Sequence, residues 1–551
     1  MKNKILKISL SVLLTLTVIW IIWLSLTPLV DRDGTRFHLP FAKLWAENGF
    51  MYFRRYFAYY DLNMLNLNYL YMLVFKFGLS DQFTKIIHAS FLLAGGYLLF
   101  RYFKEKYGFN WAALSFVMYC TIPIHQRLAA EVYVDLGLLF FSTLSTIYFI
   151  KWLESDLENR KYLIISALGA GLGFGTKYNG VIFAFFMTLF VALVISREKK
   201  DDKLAVKSML IYGTVIFISV LPWLLRNYIN SGNPFYPLFG SVFPSTITSP
   251  AEIMENVGSE TAWRVVSDNE NFFTLIFLPL RVFFQGSDHD LLKFDGVLNP
   301  LLLFLLPFIF RPKIKNPKHK KTMYYLFAIF LIVYLSTLYG NNIRIRYFIP
   351  VLPILIILNV GAIKNLLSFK KFPYFAHTAV FMFLSFNIFY SFRLYDGLHL
   401  KEYNPFRSES KLGYMEKYLR LYDFFEYINK HTPENSVIYE AFTGGRSYYI
   451  NRTFYSDTTS LDRCLLQLAK KGAADEEYAN HLRNLPNSDL SATHLLIKAN
   501  SFIQTFYDAN YDEDDTLNVG NSKKIKGYLN YLNGLKLLKE RDGTYLFEIP
   551  S

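Results

Sequence analysis

Long apolar runs recur through the first 392 residues and then stop. A helix crosses a bilayer with about 20 mostly apolar residues. Runs of this kind lie near 6–27, 83–103, 111–125, 132–152, 162–179, 180–196, 206–225, 297–311, 323–339, 346–363 and 373–392. The pattern predicts an α-helical polytopic membrane protein with about eleven spans. Residues 271–284 (NFFTLIFLPLRVFF) are apolar too, but counting them as a span puts the basic segment 311–321 on the opposite side from the other basic loops. MLNLNYLYMLVFKFG reads as a short amphipathic helix lying along the interface. Beyond residue 392 the periodicity changes. YDFFEYINKHTPENSVIYEAF reads as helix, turn and strand, ATHLLIK as a strand, and LKLLKERDGTYLFEI as a hairpin turning at Asp542-Gly543. The chain therefore divides into a membrane part, 1–392, and a C-terminal α/β domain, 393–551.

Charge sharpens this division. The net charge of +14 would suit nucleic acid, but residues 393–551 hold 20 Lys+Arg against 22 Asp+Glu, and the membrane part holds 38 against 22. The basic excess thus belongs to the apolar half, and 23 of those 38 residues fall in six segments on one side of the predicted spans. Basic loops mark the cytoplasmic face, so the expected topology has the N-terminus inside and the C-terminal domain outside. The first span follows a basic start, MKNKILK, but LSLTPLVDRD offers no small-residue cleavage site, so it reads as an uncleaved anchor. Two distant cysteines, Cys120 and Cys464, exclude a disulfide framework and a zinc spacing. The acidic run 511–515 (YDEDD) reads as a solvated loop in preference to a calcium site.

Charged residues near span ends are costly unless they reach water or serve a cavity. Five outer segments carry them: DRDGTRFHLP (31–40), HQRLAAEVYVD (125–135), GTKYNG (175–180), PWLLRNYINSGNPFYP (222–237) and RIRYFIPVLP (344–353). Gathered in one cleft, they would supply the carboxylates Asp33, Asp135 and Glu131 and the cations Lys177, Arg226, Arg344 and Arg346. A carboxylate takes a proton from an attacking hydroxyl, and Lys and Arg hold a departing phosphate. The mixture suits a lipid-phosphate substrate; the competing reading is a set of interface charges that snorkel to water. Asp31-Arg32-Asp33 spells D-x-D, a common triplet. His38, without nearby ligand spacing, reads first as a hydrogen-bonding residue. Gly171, Gly173 and Gly175 lack the G-K-[ST] ending of a phosphate loop and fit close helix packing. Two other classes stay open: a lipid-linked glycan flippase or transporter, and a glycan polymerase or ligase. Clustering at one face, with no repeat between halves, argues against the first.

These same segments resemble a family. DGTRFHLPFAKLWAENG (33–49), EVYVDLGLLFF (131–141), GLGFGTKYNG (171–180), PWLLRNYINSGNPFYPLF (222–239) and RYFIPVLP (346–353) are similar, in this order, to segments of bacterial polytopic glycosyltransferases of the GT-C superfamily. The likeness runs towards the branch of protein mannosyltransferases and lipid A aminoarabinose transferases. It implies a GT-C-like membrane domain that moves a sugar from a polyprenyl-phosphate donor to a glycan, lipid or protein acceptor at the outer face of the bacterial cytoplasmic membrane. It also implies Asp33 as catalytic base, with Asp135 and Lys177 matching the acid and the base of the later motifs. His38, Glu131, Arg226, Arg344 and Arg346 complete the expected substrate-binding set. No nucleotide cofactor is needed, and a divalent metal is left open. Asn63 stands where family members carry Glu.

Overall fold

The computed structural model describes residues 2–53, 61–247, 270–310, 317–340, 343–368, 373–456, 465, 468, 471–485, 489–502 and 523–550; the acidic run 511–515 lies outside these. Helix α1 (Lys2–Ser25) leads to one turn of π-helix at Gly34–His38 and two short helices, α2 (Leu39–Asn48) and α3 (Asn66–Lys76). Then follow α4 (Gln82–Tyr107), α5 (Phe109–Cys120), α6 (Pro123–Ala129), α7 (Asp135–Glu154), α8 (Arg160–Phe174), α9 (Gly180–Lys199) and α10 (Asp202–Ser231). α11 (Pro317–Gly340) precedes a 3-10 segment, Ile345–Val351, that runs into α12 (Leu352–Ser368); α13 (Pro373–Gly397) follows.

Among the described residues, eight helices are long and apolar enough to cross a membrane: α1, α4, α7, α9, α10, α11, α12 with its 3-10 lead-in, and α13. Three of the eleven predicted spans instead fall on shorter elements. α5 has 12 residues, α8 has 15, and 297–311 breaks into Leu301–Phe304 and a 3-10 segment, Leu306–Phe310. The causes are local. Ile122 is extended ahead of Pro123, as residues before proline tend to be, and this ends α5. Pro307 removes a backbone donor from the 301–310 run. Residues 271–284 form two short helices, Phe272–Ile276 and Leu278–Phe284, with Pro279 in the first turn of the second.

The bundle sorts its charges by end. Lys318 pairs with Asp156 at 2.8 Å, Lys321 with Glu198 at 2.7 Å and Lys151 with Glu105 at 3.2 Å, so the basic loops read as one side do gather at one end. α7 packs against α4 and α8, and α8 against α10. The glycines of α8 make this possible. A Cβ on Gly171 would stand 2.7 Å from the Ser219 side chain of α10.

The C-terminal domain opens with α14 (Ser408–Tyr418) and α15 (Tyr422–His431). Its sheet comprises β1 (Val437–Ala441), β2 (Thr453–Ser456), β3 (His494–Lys498), β4 (Lys536–Arg541) and β5 (Thr544–Glu548), in the order β2-β1-β3-β5-β4. β1 is parallel to β2 and β3, whereas β5 is antiparallel to β3 and β4. The β4–β5 hairpin turns at Asp542 (φ 51°) and Gly543 (φ 70°), the left-handed pair of a two-residue hairpin loop. β2 was not expected from sequence; four residues are too few to show alternation.

Candidate functional site

The site assembles at the end of the bundle opposite the basic loops. Asp33 opens the π-turn that follows α1. Asp31 closes that turn: its carbonyl accepts from the Thr35 N–H at 3.2 Å and the Thr35 hydroxyl at 2.7 Å, and its carboxylate accepts from the Gly34 N–H at 2.9 Å. Position 34 must be small, because a Cβ there would run into the Asp31 carboxylate and stand 3.0 Å from the Val132 carbonyl. The two acids of the D-x-D triplet therefore part company. Asp31 braces the turn, and Asp33 faces the site.

Arg346, the second residue of the 3-10 segment, donates through Nη1 to Asp33 Oδ2 at 2.7 Å. Its guanidinium lies 5.2 Å from the ring of Tyr133 and 5.7 Å from that of Tyr347. Among the described residues, its buried Nε meets no hydrogen-bond partner. Lys177 projects from the corner between α8 and α9, where the helices approach so closely that a Cβ on Gly180 would stand 2.8 Å from the Gly173 carbonyl. Its ammonium donates to Asp135 Oδ1 at 2.7 Å and sits 5.1 Å from the Tyr347 ring centre. Asp135 is the first residue of α7, where the helix dipole favours a negative charge. The guanidinium of Arg344 lies 6.0 Å from the same ring of Tyr347. Three cations thus lie around one aromatic ring.

The supporting contacts are specific. His38 Nδ1 shares a hydrogen bond of 2.9 Å with Asn68 Oδ1, and Asn68 donates back to the His38 carbonyl at 3.3 Å, tying the π-turn to α3. His88 joins two motifs: Nε2 accepts from the Leu136 N–H at 3.0 Å, so Nδ1 carries the proton it gives to the Glu131 carbonyl at 2.8 Å. Burial opposes charge on Asp33, yet Arg346, with Lys177 nearby, holds its carboxyl well below the usual carboxylate range. Burial lowers His38 to about 4, so the ring is neutral.

Two expected members sit elsewhere. Arg226 is fully buried against the segment that follows α2: Nε donates to the Phe50 carbonyl at 3.1 Å, Nη1 to the Asp61 carbonyl at 2.7 Å, and Nη2 to the Tyr52 carbonyl and Asp61 Oδ1, both at 3.0 Å. Trp45 and Phe50 cover its faces. The structure does not bring it to Asp33. Glu131 faces Arg127 at 3.3 Å, and Arg127 also holds Asp295 at 2.9 Å and Asp288 at 3.2 Å. Burial, helped by the nearby Asp31 and Asp295 carboxylates and opposed by Arg127, raises Glu131 to about 8. Sequence reasoning missed Tyr347, Tyr133, Asn68 and His88; in a chain with 40 Tyr and 53 Phe, no single aromatic stands out. Among the described residues, no group of three or more His, Cys, Asp and Glu side chains is placed to hold a metal ion. Asp33 and Asp135 each already face a fixed cation.

Residues 65–225 match the family model described as dolichyl-phosphate-mannose-protein mannosyltransferase. The whole chain also aligns with solved structures of ArnT from Cupriavidus metallidurans. In the apo state the TM-score is 0.56 at 13% identity, over 100% of this chain and 98% of that one. Bound to undecaprenyl phosphate it is 0.55 at 13% identity, over 98% of both. The oligosaccharyltransferase of Archaeoglobus fulgidus, in complex with Zn and sulfate, aligns at a TM-score of 0.50 and 15% identity over 91% of this chain and 70% of that one. No curated protein sequence matches.

Proposed function

From the GT-C fold of this multi-pass membrane chain, we propose that the cluster around Asp33 is the transfer centre of an inverting glycosyltransferase. The donor is a polyprenyl-phosphate-linked sugar, and the acceptor is a hydroxyl presented at the outer face of a bacterial cytoplasmic membrane. The observation that carries this reading is the Asp33–Arg346 pair beside Asp135–Lys177, two carboxylates and two cations clustered at the helix ends. The match of residues 65–225 to the mannosyltransferase model supports it, since that segment includes Asp135 and Lys177. Binding of undecaprenyl phosphate by ArnT supports the donor class.

The chemistry follows from the charges. Asp33 orients the acceptor hydroxyl and takes its proton as oxygen attacks the anomeric carbon. The bond from that carbon to the phosphate oxygen breaks on the opposite face, which inverts the configuration. The phosphate leaves as an anion into Arg346, Lys177 and Arg344, with Tyr347 holding the cations at a common distance. While Arg346 grips it, Asp33 is a weak base. A phosphate that takes a share of the guanidinium, through the open Nε, releases the carboxylate and raises its basicity. The active base thus forms only when donor is present. Asp135 fixes Lys177 and stays outside the proton path. Arg226 has no part in the chemistry and holds the loop.

The test is mass spectrometry of outer-surface glycans, glycolipids and glycoproteins from cells with and without the chain. Loss of one sugar modification, restored by the wild-type chain, is the expected result. An unchanged profile, with lipid-linked sugars crossing the membrane only when the chain is present, would mean transport instead.

A further inference from the structure

Between α1 and Asp31 the chain turns irregularly through five residues, 26–30, and the carbonyl oxygens of these residues and of Ser25 are each held by a side chain from elsewhere. Gln82 of α4 donates to the Ser25 carbonyl at 2.6 Å and the Thr27 carbonyl at 3.1 Å. Lys85, buried in α4, gives its three protons to the Thr27 carbonyl at 2.9 Å, the Thr27 hydroxyl at 3.0 Å and the Pro28 carbonyl at 2.9 Å. The remaining three carbonyls are held from the C-terminal domain. Tyr403 donates to Leu26 at 2.8 Å, Tyr449 to Leu29 at 2.8 Å and Arg446 to Val30 at 3.1 Å.

Irregular backbone at membrane depth needs such partners for its polar groups. Partners drawn from α4 alone would have met that need. Here they alternate between the membrane bundle and a domain that begins some 370 residues later, and the strap ends on Asp31, the residue that closes the Asp33 turn. The 3-10 turn Ser447–Tyr449 also packs against the π-turn Gly34–His38. Its position in the sheet explains how the domain reaches so far. The loop 442–446 leaves the carboxyl end of β1 between two parallel neighbours, and Phe442, Gly444 and Gly445 all have left-handed backbone (φ 57°, 91° and 69°), which folds the loop back towards the bundle. A second tie, from the Tyr448 hydroxyl to Asp81 Oδ2 at 3.2 Å and from Lys411 to Asp81 Oδ1 at 3.4 Å, fastens the domain to the start of α4.

We propose that the C-terminal domain is one jaw of a clamp that positions Asp33, with Tyr403, Tyr449 and Arg446 as positioning residues and with Gln82 and Lys85 of α4 as the opposite jaw. The proposal rests on the reading of Asp33 as the base. It gives the domain a role in catalysis distinct from contact with an acceptor. Release of the outer jaw leaves the donor pocket of Lys177 and Arg346 standing and lets the Asp33 turn drift, and a displacement of about 1 Å costs on the order of 100-fold in rate.

The experiment uses the full chain. Tyr403→Phe, Tyr449→Phe and Arg446→Gln are made singly and together, with Asp33→Asn and with Lys536→Gln on the far edge of the sheet as controls. Sugar transfer in cells is measured by mass spectrometry at matched membrane levels, and binding of undecaprenyl phosphate is measured on the purified protein in detergent. The clamp predicts roughly 100-fold less transfer in the triple variant, about fivefold less in Tyr449→Phe, and partial recovery when Arg446 is replaced by Lys instead of Gln. Undecaprenyl phosphate affinity stays within about threefold in all of them, and Lys536→Gln transfers normally. A merely structural tie would lower protein level and lipid affinity together. If the triple variant does not accumulate, Tyr449→Phe and the Arg446→Gln and Arg446→Lys pair decide the matter alone. Wild-type transfer in those variants, with Asp33→Asn inactive, overturns the clamp and leaves the base intact. Full transfer by Asp33→Asn overturns the reading of the base itself.

Discussion

Two buried arginines at the same end of the bundle invite comparison. Arg226 and Arg346 both stand at the end of an apolar run, and each pairs with an aspartate, Asp61 at 3.0 Å and Asp33 at 2.7 Å. Their surroundings differ. Arg226 is engaged through Nε, Nη1 and Nη2, mostly to backbone carbonyls, with aromatic rings on its faces. Arg346 keeps Nε open, meets a carboxylate that retains some exposure, and shares an aromatic ring with two other cations. A cation whose donors are all engaged, most of them by backbone, is part of the framework; one with a buried donor left open beside a carboxylate suits something that arrives later. A carbonyl cannot leave to make room for phosphate, whereas a carboxylate that becomes the base must be released.

Substitutions test this contrast. The largest effect falls on the framework: Arg226→Met strands Asp61 in the interior and costs about 3–5 kcal/mol, read as loss of folded protein and a lowered melting temperature in detergent. Wild-type stability in that variant would erase the distinction. Next is Arg346→Lys, which keeps charge but loses the planar fork. Transfer falls roughly 100-fold, about 2.7 kcal/mol, while the melting temperature stays near wild type. Glu131 gives a smaller effect that depends on pH. Burial raises its folded-state pKa to about 8, so the neutral form is the stable one, and its contribution fades as pH rises through about 8. Glu131→Gln, neutral throughout, therefore melts close to wild type below about pH 4.5, where the unfolded carboxyl is protonated too, and increasingly above it towards pH 9; an equal difference at both ends would contradict the assignment. The smallest effect is Tyr347→Leu, which removes the shared aromatic ring. It weakens binding of undecaprenyl phosphate about fivefold, within the range of a desolvated cation–π contact.

Much of this was legible in the sequence, for a physical reason. Charges beside apolar runs are expensive, so Asp33, Asp135, Lys177 and Arg346 stand out against their background, and the structure brings all four together. Arg226 entered the same set because sequence records the cost of burying a charge and not which groups repay it. Its partners at Phe50, Tyr52 and Asp61 lie more than 160 residues earlier. At 111–125, 162–179 and 297–311 the helices are shorter than the apolar runs, because apolar content persists through a proline or a corner that ends the helix. Tyr347, Tyr133 and His88 carried no signal at all, since their roles arise only when distant segments meet. The hairpin at Asp542-Gly543 was the clearest local reading, because its turn chemistry is complete within two residues.

The central claim is that Asp33 takes the acceptor proton in a pocket whose cations hold the lipid phosphate. The most direct measurement pairs two readouts on one variant, Asp33→Asn. The account predicts a folded protein that binds undecaprenyl phosphate at least as tightly as wild type, because Arg346 is released from its partner, and that leaves the sugar modification absent from cells. Sugar transfer at wild-type levels by Asp33→Asn would contradict it.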